Sequence, residues 1–204
     1  MTATELDTPH GPARVSVHSA EQGIAALLLG HGAGGGVDAP DLVAVARAAR
    51  AADVHVALVE QPYRVAGRRA PAPATQLDTA WLSVVEQVAT MWFDELPLVF
   101  GGRSSGARVA CRTAGTGQAA AVLCLAFPEH PPGKPDKSRQ HELDAVEVPT
   151  LVVQGERDPF GRPEAGPHHE VVTVPGDHSL SRDLDAVARA ASEWLTRTLR
   201  PLTA

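Results

Sequence analysis

A serine flanked by glycines, within residues 102–106, is the feature of this sequence that most suggests chemistry. The segment reads Gly-Arg-Ser-Ser-Gly and fits the pattern G-x-S-x-G, with Ser104 at its centre. An apolar run that predicts a strand precedes it, and a run that predicts a helix follows. A serine on such a tight turn is exposed, and the glycines let the flanking backbones approach each other. Ser104 is therefore the candidate nucleophile, because Arg103 stands where Ser105 would need a glycine.

An alcohol at neutral pH is a weak nucleophile, so it needs a base, and the base needs an acid that fixes its tautomer. Among nine histidines, His178 is the best placed, directly after the last predicted strand. Asp158 follows the preceding predicted strand and is the candidate acid, with Glu129 as the alternative. Ser104, Asp158 and His178 thus predict a catalytic triad, in a chain order known for serine hydrolases.

A glycine-rich segment, His31 to Gly36, follows the first strong predicted strand. Its backbone can aim N–H groups at the oxyanion of a tetrahedral intermediate. The predicted donors are the N–H of Ser105 and that of Ala33 or Gly34. The segment also partly matches a dinucleotide-binding fingerprint, with Glu60 ending the next strand. That reading lacks the third glycine, has too long a spacing to its acid, and leaves the triad unexplained.

Short apolar runs alternate along the chain with longer amphipathic patterns. The predicted strands cover residues 24–29, 54–59, 97–100, 120–126, 150–154 and 171–174, with 13–17 as an edge strand. The predicted helices cover residues 40–49, 77–92, 105–113 and 184–195. Such alternation predicts an α/β fold, a three-layer α/β/α sandwich with a doubly wound, mostly parallel sheet. We expect one domain over residues 1–204, with 1–12 as a flexible N-terminus.

Two long segments, 61–74 and 128–147, are rich in proline and basic residues and show no clear periodicity. Both should lie at the carboxyl ends of strands, where open α/β sheets bind ligands. In the first, the candidate residues for binding an anionic substrate are Arg64, Arg68 and Arg69. The second has a similar basic group, Lys134, Lys137 and Arg139. The alternative is that both groups are solvated loops, the usual role of such charge runs.

Composition argues against several classes of protein. A chain of 204 residues can bury a core without disulfides or metals. Its net charge of −6 is opposite to that of typical nucleic-acid-binding domains. We see no apolar run of membrane-spanning length and no secretory leader, so we expect a cytoplasmic protein with Cys111 and Cys124 as free buried thiols. No cysteine and histidine cluster has zinc spacing, although the adjacent His168 and His169 are a pair that adventitious metal can bind.

The motifs together resemble the α/β-hydrolase superfamily, through the serine turn at 102–106, the acid segment at 155–161 and the base segment at 176–178. The resemblance covers roughly residues 24–198. A narrower resemblance is to a small, cap-less, dienelactone-hydrolase-like group related to the hydrolase-like domain of the NSL chromatin-complex subunit. The segments that carry it are 101–106, 127–135, 62–64 and 67–69.

This resemblance implies a minimal hydrolase fold with Ser104, His178 and Asp158 as its triad. Two residues depart from the group's pattern: Ala107 replaces an expected glycine, and Ser105 replaces a bulkier residue such as methionine. The function predicted is hydrolysis of a small ester or thioester through an acyl-enzyme, without metal or cofactor. Two alternatives stay open at this point, a non-catalytic interaction protein on the same fold and a chloroperoxidase-like or acyltransferase activity.

Overall fold

A computed structural model describes residues 3–199, which build one eight-stranded sheet with helices on both faces. The strands are β1 (Thr4–Leu6), β2 (Ala13–His18), β3 (Ala25–Gly30), β4 (Val54–Glu60), β5 (Leu98–Arg103), β6 (Ala121–Leu125), β7 (Thr150–Gly155) and β8 (His169–Val174). The helices are α1 (Pro40–Ala51), α2 (Pro62–Val65), α3 (Ala74–Trp92), α4 (Ser105–Thr113), α5 (Gln140–Asp144) and α6 (Leu184–Leu199).

The order of strands across the sheet is β1-β2-β4-β3-β5-β6-β7-β8. The two strands at the β1 edge pair antiparallel, and all the others are parallel. From β3 the chain therefore winds first toward β4 and then in the opposite direction through β5 to β8. This confirms the predicted doubly wound, mostly parallel α/β sandwich, and it brings the carboxyl ends of β3, β5, β7 and β8 to one edge of the sheet.

Two apolar layers cover the sheet, one on each face. Along β3 the side chain of Leu28 enters the layer formed by α3 and α4, whereas Leu27 and Leu29 enter the layer formed by α1 and α6. All three leucines are fully buried. Because burial of one such side chain contributes about 1.5–3 kcal/mol, strands that are apolar on both faces are stable only in this covered position.

The N-terminal segment differs from its prediction. The sequence analysis expected residues 1–12 to be flexible. Within the described part of this segment, however, Thr4–Leu6 is a strand that pairs with β2 and buries Leu6. A strand of three residues is too short to show a pattern in the sequence. The two irregular segments each contain one short helix, α2 and α5, and nothing larger is inserted between β6 and β7.

Helix α4 is tied to its neighbours by paired charges. Arg108 donates two hydrogen bonds to the carboxylate of Glu142 on α5, at 2.8 and 2.6 Å. Arg112 donates two to Asp78 on α3, at 2.8 and 2.6 Å. Arginine makes such two-pronged contacts with carboxylates because its donors form a planar fork. These bonds fix the segment around α5 against the helix that follows Ser104.

The two cysteines are free and buried, as predicted, with their sulfur atoms 3.5 Å apart. The hydrogen bond between the two thiols and, to a smaller extent, burial raise the pKa of Cys124. Within residues 3–199, no helix has the length and apolar character needed to cross a membrane.

Candidate active site

The turn that carries Ser104 joins β5 directly to α4 and holds the serine in a strained conformation. Its φ is +52°, in the region that favours glycine, and its N–H donates to the Leu125 carbonyl at 2.9 Å. A Cβ on Gly102 would lie 2.6 Å from the carbonyl carbon of Gly106 and 2.8 Å from the Gly30 oxygen. Both glycines of the motif are therefore required by the close approach of the backbones.

The structure brings Ser104, His178 and Asp158 together. His178 Nε2 lies 2.9 Å from Ser104 Oγ, and His178 Nδ1 lies 2.7 Å from Asp158 Oδ2. The Asp158 side chain has no exposed surface, whereas 17% of the His178 side-chain surface is exposed. Ser104 follows β5, Asp158 follows β7 and His178 follows β8. A base within hydrogen-bond reach of a hydroxyl, itself held by an acid, is the arrangement that nucleophilic catalysis requires.

Two residues that sequence reasoning missed support this group. Gln154 is fully buried near the end of β7, and its amide donates to Asp158 Oδ2 at 2.8 Å. Phe160 donates its backbone N–H to Asp158 Oδ1 at 2.8 Å, and its ring stacks on that of His178 with centroids 4.1 Å apart. Every oxygen of Asp158 thus accepts a hydrogen bond, which suits an ionised carboxylate. A glutamine in an otherwise apolar strand was the signal available in the sequence.

Among the bonds of residues 3–199, the alternative acid Glu129 has no hydrogen bond or ion pair with His178. Its Oε2 lies 3.6 Å from Nε2 of His130, and a Cβ on Gly161 would meet it at 2.9 Å. Glu129 follows β6, so it is one strand nearer to Ser104 than Asp158 is, but its carboxylate turns toward the neighbouring loop. Asp158 is the acid that holds His178 in this structure.

The predicted oxyanion donors lie in the turn that carries Ser104 and in the segment that begins at His31, where a Cβ on Gly32 would be 3.6 Å from Ser104 Cβ. Ser105 is the first residue of α4, so its N–H has no acceptor within the helix. Ala33 and Gly34 lie between β3 and α1, and in the described part of the chain neither donates a backbone hydrogen bond. The Tyr63 hydroxyl donates to the Ala33 carbonyl at 3.1 Å and so holds this segment to α2. Among the described residues, none of these three N–H groups has a backbone acceptor.

His31 braces the same segment from inside the protein. Its Nδ1–H donates to the Gly32 carbonyl at 2.8 Å, and its Nε2 accepts the N–H of Gln61 at 3.0 Å. Because Nε2 must accept, only the neutral ring fits both bonds. Burial lowers the pKa of His31 and so favours the same neutral form.

This neutral histidine predicts a dependence of stability on pH. Its pKa is depressed on folding, so the unfolded chain binds the extra proton, and stability is lost as the pH falls below about 6.5. In His31→Gln, the unfolding free energy should fall less steeply over this range, by up to about 1.4 kcal/mol per pH unit. Denaturant unfolding at a series of pH values measures both slopes. His168→Gln, at an exposed position, is the control, and equal slopes for wild type and His31→Gln would contradict the prediction.

A small cavity lies beside Ser105. It is lined in part by His31, Gln61, Tyr63 and Trp81. Its volume, about 10 Å³ for the centre of a water molecule, is enough for one water. The small side chain of Ser105 thus leaves limited space beside the turn.

Most basic residues of the two irregular segments are exposed at the protein surface. Arg64 is half-buried on α2, and Arg68 and Arg69 are exposed beyond it. Arg68 lines a separate pocket with Gln61 and Tyr63. Lys134 and Lys137 are exposed, while Arg139 donates to the Pro128 carbonyl at 2.9 Å and so supports its own loop.

His169 is occupied by protein contacts. It is buried, and its Nε2 lies 2.9 Å from the Glu164 carbonyl oxygen. Among residues 3–199, no group of three or more histidine, cysteine or acidic side chains is arranged to hold a metal ion.

Comparison with known proteins shows the family and the fold. The family model described as an alpha/beta hydrolase domain matches residues 23–193. A serine hydrolase without a lid from Xanthomonas campestris is 24% identical, with a TM-score of 0.77 over 98% of this chain and 95% of that one. The protein Est1E of Butyrivibrio proteoclasticus, with ferulic acid bound, is 17% identical, with a TM-score of 0.81 over 97% and 99%.

A dienelactone hydrolase from Anabaena variabilis is 19% identical, with a TM-score of 0.76 over 98% of each chain. These likenesses show a shared fold over nearly the whole chain. No protein of curated function matches the sequence significantly.

Proposed function

The chain belongs to the alpha/beta hydrolase domain family, and from this premise we propose that it is a serine hydrolase that cleaves a small ester or thioester. One observation carries the proposal. His178 lies between Ser104 and Asp158, within 2.9 Å of the hydroxyl and 2.7 Å of the carboxylate. A chain that only binds a partner has no need of this alignment.

In the first step, Ser104 Oγ attacks the acyl carbonyl carbon while its proton passes to His178 Nε2. The Nδ1–H of the ring donates to Asp158, which holds the tautomer and stabilises the imidazolium. Gln154 and the Phe160 N–H in turn hold the carboxylate. The carbonyl oxygen becomes an oxyanion, and a bond to each backbone donor would stabilise it.

In the second step, the tetrahedral intermediate expels the alcohol or thiol, which takes the proton from His178. An acyl group is then left on Ser104 as an ester. Water attacks this ester with His178 again as base, and the acid product leaves with Ser104 restored. Each backbone donor, from Ser105 and from Ala33 or Gly34, is worth about 10²–10³-fold in turnover.

An open, shallow site supports a small acyl substrate. The segment between β6 and β7 contains only the five residues of α5 as regular structure, so it offers no separate domain to cover a long chain. The basic residues Arg64, Arg68 and Arg69 lie on the side of Tyr63, whose hydroxyl holds the oxyanion segment. They would favour a substrate with a negative charge at some distance from the scissile bond.

The test is covalent labelling by a fluorophosphonate probe, followed by mass spectrometry of the adduct. Such probes react with activated serines, so we expect one adduct, on Ser104, in the folded protein. Ser104→Ala should lose it, and Ser192→Ala, on α6, should keep it.

The contrary result is a protein that circular dichroism shows to be folded and in which mass spectrometry detects no adduct. That result would remove the serine-hydrolase proposal and favour a non-catalytic interaction protein on the same fold.

A further inference from the structure

Arg103, the residue just before the nucleophile, makes contacts on three sides. Its Nε lies 2.9 Å from Oδ2 of Asp41, and its Nη2 donates a hydrogen bond of 3.0 Å to the backbone carbonyl of His178. Its Nη1 lies over Gly32, where an added Cβ would be 3.0 Å away. The guanidinium of Arg103 therefore touches both the loop of the proposed base and the loop of the proposed oxyanion donors. The backbone of Arg103 is directly followed by the nucleophile, Ser104.

Asp41 anchors this guanidinium. It lies in the first turn of α1, where the helix dipole favours a carboxylate, and its side chain has no exposed surface. Burial raises the pKa of Asp41, and the charge of Arg103 opposes that effect. The Arg103 side chain is 18% exposed. A buried ion pair is a weak source of stability, because desolvation of both groups offsets their attraction. Stability alone therefore does not account for this pair.

The His178 ring is held at its two nitrogens by Ser104 and Asp158, but its backbone lies in the loop between β8 and α6. The bond from Arg103 fixes the carbonyl of that same residue, and hence its Cα, relative to the serine turn. Only arginine has several donors in one rigid plane, so it can hold Asp41 and the carbonyl at once.

We propose that Arg103, anchored by Asp41, is a positioning residue that sets the His178 ring between Ser104 and Asp158. The proposal rests on the proposed function of His178 as the base. Arg103 lies behind the reacting groups rather than among them, so its loss should impair the alignment of His178 and leave substrate binding intact.

The kinetic test uses an aryl ester that wild type hydrolyses. In Arg103→Met we expect kcat to fall about 10²-fold, since a displacement of about 1 Å can cost that much, while KM stays within about twofold. Arg103→Lys should recover part of kcat, because one ammonium replaces only part of the fork. The double variant Arg103→Met, Asp41→Asn avoids an unpaired buried carboxylate and should show the same loss of kcat in a folded protein.

A second readout needs no substrate. The Nδ1–H of His178, in its short bond to Asp158, should give a far-downfield proton resonance that disappears in His178→Gln. In the folded double variant this resonance should shift or broaden through faster exchange. Arg108→Met is the matched control, because it breaks a partly buried ion pair between α4 and α5, and the bonds that Arg108 makes to the described residues do not involve His178. It should lower thermal stability and leave the resonance and kcat in place.

The two readouts separate the possible failures. An unchanged kcat and an unchanged resonance in the folded double variant would overturn the positioning role. So would an equal change in Arg108→Met, because the effect would then be one of stability. If wild type has no esterase activity and takes no fluorophosphonate, the proposed function fails, but the resonance still reports whether Arg103 holds His178.

Discussion

Replacement of Ser104 by alanine is expected to lower kcat about 10⁵–10⁶-fold on any ester that the wild-type protein hydrolyses, or about 7–8 kcal/mol in the barrier. The reason is that alanine removes the hydroxyl oxygen that lies 2.9 Å from His178 Nε2. The backbone cost should be small, since alanine keeps the Cβ that serine already carries at φ +52°. Steady-state kinetics and a thermal melt of the same preparation measure both effects.

The double variant Ser104→Ala, His178→Ala provides the control. Residues that act as one unit are strongly non-additive, so the double variant should be no slower than the worse single variant. Additive losses would mean that the two side chains contribute separately and do not form the proposed pair. Any rate that the double variant keeps above that of the uncatalysed reaction in water would come from the backbone donors and substrate binding.

Asp158→Asn should have the second largest effect, a fall in kcat of about 10⁴-fold. The amide is nearly the same size, so the buried site stays filled. However, its NH₂ group can donate toward Nδ1 and favour the wrong tautomer of His178, and the negative charge that stabilises the imidazolium is lost. The kinetics of hydrolysis measure the fall, and circular dichroism verifies the fold.

Glu129→Gln is the matched control for a lost carboxylate near the site. Its carboxylate points to His130 rather than to His178, so kcat should stay within about threefold of wild type. The reverse pattern, a large loss in Glu129→Gln and a small one in Asp158→Asn, would make Glu129 the acid and reject the assignment of Asp158.

The sequence by itself was sufficient for strands β2 to β8 and for the serine turn. The alternation of buried strands and amphipathic helices is a local property of each segment, because the pattern records which faces are covered. The G-x-S-x-G pattern is local in the same sense. The two glycines are four residues apart, and a Cβ on Gly102 would lie 2.6 Å from the carbonyl carbon of Gly106. A Cβ on either would also lie within 2.8 Å of the Gly30 oxygen on β3, a contact that the motif alone does not reveal.

The tertiary structure decided which side chains meet in the candidate site. Asp158 and His178 are 20 residues apart, and His178 and Ser104 are 74 apart. Which carboxylate reaches the imidazole depends on strand order and on the path of each loop, and no local pattern distinguishes Asp158 from Glu129 on those grounds. The edge strand β1 was also invisible, because it is stabilised by pairing with β2 rather than by its own three residues.

The ion pair that supports the triad was likewise decided by the tertiary structure. Arg103 and Asp41 are distant in the chain, and each is an ordinary surface residue type in its own segment. They meet because β3 and β5 pair with Gly30 opposite Gly102, which puts the start of α1 beside the serine turn. Residue types close in sequence dictate a backbone turn, whereas contacts between side chains far apart exist only once the sheet has brought its strand ends together.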